Sequence, residues 1–544
     1  MSYQRIRWIK IGILLFFFIC TIIMAAMLQQ YRSPEFSVES GFYEEPFYLE
    51  IRGGGTIYYT LDSSVPTEES LLYSGPILID DASKKDNVYS SIQSVSPLLN
   101  EELIKLGLVP NRGYVVPKKV DKCNVVRAIS VDDFGNRSDI STGIFFVGFD
   151  EKIGYDGLNI VSVITDPSNL FDYFDGIYVD GIDYAKWMAA RDLTEIYDYE
   201  DWSRGNYRRR GKTARREAIF SVWDIEKYTP INILVDISIQ GGGARAWIPK
   251  NFNVYKKDKN ILPWFSNNQE SYNLNAGGQD RNTKLRDRLV NEFTSDLKMG
   301  TRQFKPCAVF LDGEYWGTYH LTERFDESYF ETKYSINRNE VIMIKTGSIE
   351  IGKSSDLQLY QDMVDVIIQM DMSEKNAFDE VCKIIDLESF LDYYATEIYI
   401  ANTDWPSANY ALFRSRDKGS TQYEDTRWRW LIYDVNHSMK KFDLDIDGIA
   451  KSDILFESLI SNNDIYGMLV ERLVFLAKEV FNPEIVEKYI DEYAIQLGAA
   501  IENEYYRYYG ENVEKDMFYS NCDQVKDFFH KRYDYIISMY RSAS

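Results

Sequence analysis

Apolar and polar positions alternate in short runs through residues 33 to about 148, a pattern that predicts an all-β module. β-branched and aromatic residues concentrate in GGGTIYYTLDSSVPT at 53–67, which ends in turn-forming residues. Two further strand segments are LLYSGPILI at 71–79 and CNVVRAISVDDFGNRS at 123–138. Together these runs predict a small β-sandwich over 33–148.

A second, larger region begins at about residue 156, and its pattern changes from strand-like to helical along its length. LNIVSVITDP at 158–167 and INILVDISIQ at 231–240 predict strands, and KPCAVFLDGEYWGTYHLTERFD at 305–326 predicts a hairpin. After about residue 375 apolar residues recur at helical spacing. We therefore predict an α+β, bilobal domain over 156–544, with a β-rich lobe followed by a helical lobe.

The N-terminus carries the longest apolar run of the chain, at residues 11–28, with no charged residue. Arg5, Arg7 and Lys10 precede it, and acidic residues follow it. Its length and charge bias predict a transmembrane helix, with a cytoplasmic basic tail and anchor over 1–32 and the later domains outside the cell membrane. A cleaved signal peptide is the alternative interpretation.

Charge and metal-ligand content narrow the classes of function. The chain has 61 lysine and arginine residues against 84 aspartate and glutamate residues, a net charge of −23, which argues against nucleic acid as the main partner. Its 3 histidines lie far apart, and its 5 cysteines form no Cys-x-x-Cys pair. The sequence therefore argues against a zinc site rich in histidine and offers no cysteine zinc motif.

Three local patterns carry candidate chemistry. The triple glycine of QGGGARAWIPKN at 240–251 lets backbone N–H groups approach phosphate, and basic residues follow it. NTDWPSANY at 402–410 places an aspartate and an asparagine after a helix, and WRWLIYDVNH at 428–437 places oxygen ligands suited to Mg²⁺ after a strand. Each pattern also has a structural interpretation: a glycine-rich hairpin, a helix end with its loop, and a capping aspartate.

In this order, the three patterns resemble the CotH family of atypical protein kinases. NYRRRGKTARRE at 206–217, NAGGQDRNTKLRD at 275–287 and VFLDGEYWGTYHLTERFD at 309–326 extend the resemblance, which runs from about 156 to 540. It implies a diverged kinase fold that uses ATP and Mg²⁺. The module at 33–148 resembles the fibronectin-type-III-like module at the end of chitobiases, which implies a spacer or a weak glycan contact.

The resemblance also implies roles for particular residues. Asp404 is expected to be the catalytic aspartate with Asn409 as its polar partner, and Asp434 the magnesium-binding aspartate. Arg245 and Lys250 are expected to contact phosphate, Trp428 to form one wall of the adenine site, and Asn436 to be a metal ligand.

Several positions depart from the family pattern, among them the glycine-rich loop at 241–245, the segment 273–275 and two asparagines. Asn436 stands where an aspartate is usual, which keeps a ligand oxygen but removes a negative charge, and Asn251 stands where a serine is common. These departures leave two functions open. The first is a membrane-anchored kinase that phosphorylates serine or threonine of a coat or surface protein, and the alternative is a non-catalytic surface scaffold or pseudokinase that binds glycan or partner proteins.

Overall fold

The architecture comes from a computed structural model of the 544-residue chain. It describes residues 32–540 together with 13, 15–19 and 21. Within 32–540 the undescribed positions are 151, 153, 191–202, 225–229, 261, 263, 266, 267, 445–450, 511, 512, 514 and 515.

The predicted transmembrane helix is contradicted. No helix among the described residues combines the length and the apolar character needed to cross a bilayer, for which about 20 consecutive apolar residues are required. The fold class that included this helix and the single-pass membrane location are corrected accordingly. Of the segment 11–28, all but residues 13, 15–19 and 21 lie outside the described part of the chain.

The N-terminal module is built from short strands. A five-stranded sheet has the order β2-β9-β8-β5-β6, and β1-β4 and β3-β7 form separate pairs. The strands are β1 Glu35–Phe36, β2 Gly41–Tyr43, β3 Phe47–Leu49, β4 Ile51–Arg52, β5 Thr56–Thr60, β6 Leu71–Leu72, β7 Ile77–Ile79, β8 Asn124–Val131 and β9 Ser141–Val147. Their inward apolar side chains form a core of their own.

A closed seven-stranded barrel follows, in the order β10-β11-β12-β13-β14-β16-β15. The predicted β-rich lobe is thus a barrel without open edges. The strands are β10 Asn159–Ile164, β11 Arg216–Trp223, β12 Pro230–Gln240, β13 Asn251–Lys256, β14 Ser271–Asn275, β15 Phe304–Leu311 and β16 Glu314–Glu323. Neighbours are antiparallel except β10 and β15, which pair in parallel from Asn159 opposite Cys307 to Val163 opposite Leu311 and close the barrel.

A four-stranded sheet and a group of helices complete the molecule. The sheet has the order β18-β17-β19-β20, from β17 Val341–Lys345, β18 Ser348–Ile351, β19 Ala411–Ser415 and β20 Arg429–Leu431. The helices are α1 Glu101–Lys105, α2 Pro167–Phe171, α3 Gly181–Ala189, α4 Arg286–Phe293, α5 Glu327–Tyr334, α6 Leu357–Gln369, α7 Ala377–Ile384, α8 Leu387–Tyr399, α9 Ile454–Ile460, α10 Asn463–Phe475, α11 Pro483–Tyr509 and α12 Met517–Met539. Helices α8 to α12 all contribute to the largest hydrophobic core, and every residue of α8 except Glu388 is buried.

The module and the barrel meet at the β15–β16 turn. Glu314 is 3% exposed, and its two carboxylate oxygens accept hydrogen bonds from the backbone N–H groups of Val88 and Ser90, each at 2.6 Å. The N–H of Cys123 donates to the carbonyl of Gly313 at 2.9 Å. The division at 148–156 stays a prediction, but residues on its two sides share buried hydrogen bonds.

Candidate functional site

A cleft of about 790 Å³ opens between the glycine-rich turn of the barrel and the four-stranded sheet. Five of the seven predicted site residues line it: Arg245, Asp404, Asn409, Asp434 and Asn436. Seven basic side chains but only three acidic ones line the cleft, although the whole chain is strongly acidic. The basic residues are Arg209, Arg210, Arg215, Arg245, Arg302, Arg324 and Lys345. The cleft therefore suits an anionic ligand.

The glycine-rich turn connects β12 to β13. Gly241 has φ +114°, in the left-handed half of conformational space that favours glycine. A Cβ placed on Gly242 would meet nothing within 4 Å, so the backbone there faces open space. The turn continues as a short helical turn, Gly243–Ala246.

Arg245 holds this turn from inside. Its Nε donates to the carbonyl of Gly241 at 2.6 Å, and one terminal nitrogen donates to the carbonyls of Tyr207 and Arg209, each at 3.0 Å. Burial lowers the pKa of the Arg245 guanidinium to about 10. Arg245 thus lines the cleft while most of its donors hold backbone carbonyls.

Lys250 lies behind the turn and does not line the cleft. Its side chain is fully buried, and its Nζ donates to the carbonyls of Arg245 at 2.6 Å and Trp247 at 3.3 Å. The ammonium also lies 4.1 Å from the centre of the Tyr207 ring. Burial lowers the pKa of Lys250 to about 7, an effect that the charge of Asp180 partly opposes. In this arrangement Lys250 supports the turn, and direct phosphate contact would require it to leave these carbonyls.

We expect Lys250→Met to reduce the free energy of unfolding of the ligand-free protein by about 1–3 kcal/mol, because two buried carbonyls lose their donor. Denaturant unfolding monitored by fluorescence measures this. Lys256→Met, which changes a half-buried lysine at the end of the following strand β13, is the control. An unchanged stability for Lys250→Met would contradict the supporting role.

Asp404 and Asn409 lie in the loop between α8 and β19. The Asn409 Nδ2 donates to Asp404 Oδ2 at 2.9 Å, which fixes the carboxylate. The backbone N–H of Asp404 donates to Asn402 Oδ1 at 3.2 Å, and Asn402 Nδ2 donates in turn to Glu397 Oε2 at 2.9 Å. Burial raises the pKa of Glu397, on α8, to about 8. The loop is therefore tied to a buried helix behind it.

Asp434 and Asn436 lie just after β20, on the neighbouring wall. Asn436 Nδ2 donates to Asp434 Oδ1 at 2.9 Å, so the amide oxygen of Asn436 keeps its acceptor capacity. Burial raises the pKa of Asp434, the charges of Lys345 and Arg302 oppose this, and the nearby charge of Asp404 adds to it. These influences show that the two aspartates share one electrostatic environment.

Backbone conformation is unusual at both aspartate–asparagine pairs. Asn409 has φ +57° and Asp434 has φ +52°, a region that non-glycine residues enter at some cost in free energy. Gly278 has φ +55°, and a Cβ there would lie 3.2 Å from Asn436 Nδ2. Such left-handed residues cluster at functional sites, where the surrounding structure enforces them.

Trp428 lies away from the cleft. It is fully buried, and its ring packs edge-on against Tyr360, with a centroid distance of 6.0 Å, and near the guanidinium of Arg414. Its backbone bonds to the segment after α7, where the N–H of Asp386 donates to its carbonyl at 2.9 Å. The aromatic rings that do line the cleft are Tyr255, Phe325 and Tyr433.

Sequence reasoning missed two basic residues beside Asp434. Lys345 ends strand β17, and its Nζ donates to the Tyr433 hydroxyl and lies 4.0 Å from the centre of that ring. Arg302 is 9% exposed, and its Nε has no hydrogen-bond partner in the described part of the chain. A basic residue at the end of an apolar strand was the available signal for Lys345, whereas nothing in the local sequence marks Arg302.

The residues present fit a nucleotide polyphosphate with Mg²⁺. A phosphate oxygen would satisfy the buried Nε of Arg302, and the open space at Gly242 leaves room for phosphate at the turn. Among the described residues no group of three or more histidine, cysteine or acidic side chains could hold a metal. Mg²⁺ bound with nucleotide needs no such group, because one or two carboxylates and phosphate oxygens suffice.

Comparison with known proteins agrees with this site. The family model described as CotH kinase protein matches residues 237–536, and the one described as Fn3 associated matches residues 40–145. Inner spore coat protein H of Bacillus subtilis (strain 168) is 23% identical over 229 residues, which are 38% of this chain and 62% of that protein. The chain thus spans about three fifths of the length of this curated relative. The first match includes every predicted site residue and more than half of the chain, and the protein therefore belongs to the CotH kinase family.

Proposed function

We propose that the protein transfers the γ-phosphoryl group of ATP, with Mg²⁺, to serine or threonine of a coat or surface protein. The observation that carries this proposal is the cleft, in which the Asp404–Asn409 and Asp434–Asn436 pairs lie together below a glycine-rich turn. Membership of the CotH kinase family supports the reaction type. Similarity to a spore coat protein supports a coat protein as substrate.

Each pair has its own task in this proposal. Asp404 accepts a hydrogen bond from the attacking hydroxyl and orients it, while Asn409 fixes the carboxylate. Asp434 and Asn436 hold Mg²⁺, which when bound neutralises charge on the phosphate oxygens. Arg302 and Lys345 add positive charge on the same wall of the cleft. Phosphoryl transfer consists mostly of positioning and charge stabilisation, and these residues supply both.

A nucleotide-binding scaffold without transfer activity is the second candidate. Asn436 favours it, because an amide in place of a carboxylate weakens the attraction for a divalent cation. The contact of the N-terminal module with glycan stays a prediction under either function.

The full chain incubated with γ-labelled ATP tests the proposal. We expect label on its own serine and threonine residues in the presence of Mg²⁺ and none after chelation with EDTA. Calorimetric titration with ATP, with and without Mg²⁺, runs beside it. Binding without transfer or ATP turnover would favour the scaffold, and absence of binding would overturn both candidates.

A further inference from the structure

One segment of the N-terminal module reaches the back of the glycine-rich turn. We call residues 80–123, between β7 and β8, the docking segment. It contains the short helical turns Gln93–Val95 and Pro97–Leu99 as well as helix α1. Five of its buried apolar residues belong to the same hydrophobic cluster as Ala246 and Ile248, which follow the glycines; they are Tyr89, Val95, Leu98, Leu103 and Val109. The segment therefore packs as part of the barrel core, although it belongs by sequence to the module.

Ser96 makes the most direct contact. It is fully buried, and its Oγ donates to the carbonyl of Ala246 at 2.5 Å. Ala246 is the last residue of the helical turn that continues the glycine-rich turn. A buried carbonyl without a donor carries a free-energy cost, so this bond favours one position of the turn over others.

A second contact holds the next residue along the turn. The guanidinium carbon of Arg112 lies 5.1 Å from the centre of the Trp247 ring, and that of Arg281 lies 3.7 Å from it. Arg281 donates at 2.5 Å to the hydroxyl of Tyr114, which is also in the docking segment. The segment thus contacts the turn at the carbonyl of Ala246 and at the ring of Trp247.

A third contact reaches the lysine behind the turn. The backbone N–H of Asp180 donates to the carbonyl of Ser94 at 2.7 Å. The charge of Asp180 acts on Lys250, whose Nζ donates to the carbonyls of Arg245 and Trp247. The docking segment therefore contacts the turn directly, and it also contacts Asp180, whose charge acts on the Lys250 side chain that supports the turn.

We propose that the docking segment positions the glycine-rich turn for nucleotide, with Ser96 as its positioning residue. The consequence for ATP rests on the proposed function, but the mechanical link between segment and turn does not. Through this segment, the N-terminal module then stabilises the nucleotide site and is more than a spacer.

The test compares Ser96→Ala with two controls in the full-length chain. Ser90→Ala removes another buried serine of the segment, whose Oγ accepts a hydrogen bond from Arg507 at 3.0 Å, away from the turn. Ser96 also caps the helical turn Pro97–Leu99, so a second control must remove a helix cap alone. Asn100→Ala does this, because it removes the side chain that caps α1. Ser96→Thr, which keeps the hydroxyl, is the rescue variant. If Ser96→Ala does not fold, Ser96→Cys, a weaker donor, takes its place.

Two readouts separate this inference from the proposed function. We expect amide hydrogen exchange of residues 241–248 in ligand-free protein to become about fivefold faster in Ser96→Ala, and the KM for ATP to rise about fivefold with kcat nearly unchanged, as loss of one hydrogen bond predicts. Neither control should change either readout.

Unchanged exchange in Ser96→Ala, or an equal change in the controls, would overturn the inference. Faster exchange with an unchanged KM in an active protein would overturn it as well. Faster exchange in a protein that binds no nucleotide would support the link between segment and turn and refute the proposed function instead.

Discussion

Asp404→Asn is expected to reduce phosphoryl transfer by about 100-fold or more while leaving the affinity for Mg·ATP close to that of the parent. The substitution keeps the shape of the side chain and an oxygen for the Asn409 amide, but it removes the negative charge that orients the attacking hydroxyl. Label transfer from γ-labelled ATP and calorimetric titration, run on the same preparation, measure the two quantities.

Asp417→Asn, an exposed aspartate outside the cleft, is the matched control and should match the parent in both measurements. Equal losses of affinity and transfer in Asp404→Asn would assign Asp404 to nucleotide binding. Parental transfer in that variant would exclude it from the reaction.

Asp434→Asn is expected to weaken Mg²⁺-dependent ATP binding on the order of 100-fold, because Asn436 already lacks a charge and only neutral oxygens would remain. Titration with ATP in Mg²⁺ and in EDTA isolates the metal-dependent part. Asn436→Asp is the opposite variant and should tighten Mg²⁺-dependent binding. Mg·ATP affinity equal to that of the parent in Asp434→Asn would remove Asp434 from the metal site.

Asp434→Asn should weaken Mg²⁺-dependent binding but increase the stability of the ligand-free protein. Burial raises the pKa of Asp434, so the folded protein binds a proton more readily than the unfolded chain. The contribution of Asp434 to the free energy of unfolding then falls as pH rises from its pKa in the unfolded chain to its higher pKa in the folded protein. Above the higher pKa, the ionised carboxylate destabilises the fold. Asp434→Asn should therefore raise the ligand-free Tm at neutral pH. Scanning calorimetry tests this, and a lower Tm would show that Lys345 and Arg302 outweigh burial.

Local spacing predicted which aspartate lies beside which asparagine, whereas the roles of these residues came from the family resemblance and stay predictions. Asp404 with Asn409, and Asp434 with Asn436, each lie within a few residues of one another at the end of one element, so a short stretch of sequence positions both members. What brings the pairs together is the packing of α8 and β20 in one core. That packing is tertiary, and the family resemblance supplied what periodicity could not.

Side-chain direction was not predictable at Lys250 and Trp428. From the sequence, a basic residue after a triple glycine could equally well contact phosphate. Lys250, just before β13, instead faces the interior, where its ammonium group lies against Tyr207 and donates to two carbonyls. Trp428 precedes β20 and packs against Tyr360 instead of facing the cleft. In both cases the neighbouring surface, which comes from distant segments, decides the direction.

The docking segment escaped prediction for a related reason. Its apolar residues, such as Tyr89, Val95 and Leu98, follow neither a strand nor a long helical period, so the segment resembles a connection. They are buried because barrel residues lie opposite them. The transmembrane prediction failed differently: it relied on apolar length and on the flanking charges, and no described helix is long and apolar enough to cross a membrane.

Barrel closure has a consequence for the order of events during synthesis. Strand β10, the first of the barrel, finds its parallel partner only in β15, so the ring cannot close until the ribosome has made Leu311. Arg507, near the end of α11, then donates to the carbonyl of Tyr315 at 2.8 Å and to Ser90. Because contacts this distant in sequence slow folding, β10 can pair early with β11 but has no partner on its other edge until β15 has been made. Chaperone demand and sensitivity to premature termination should both be high for this protein.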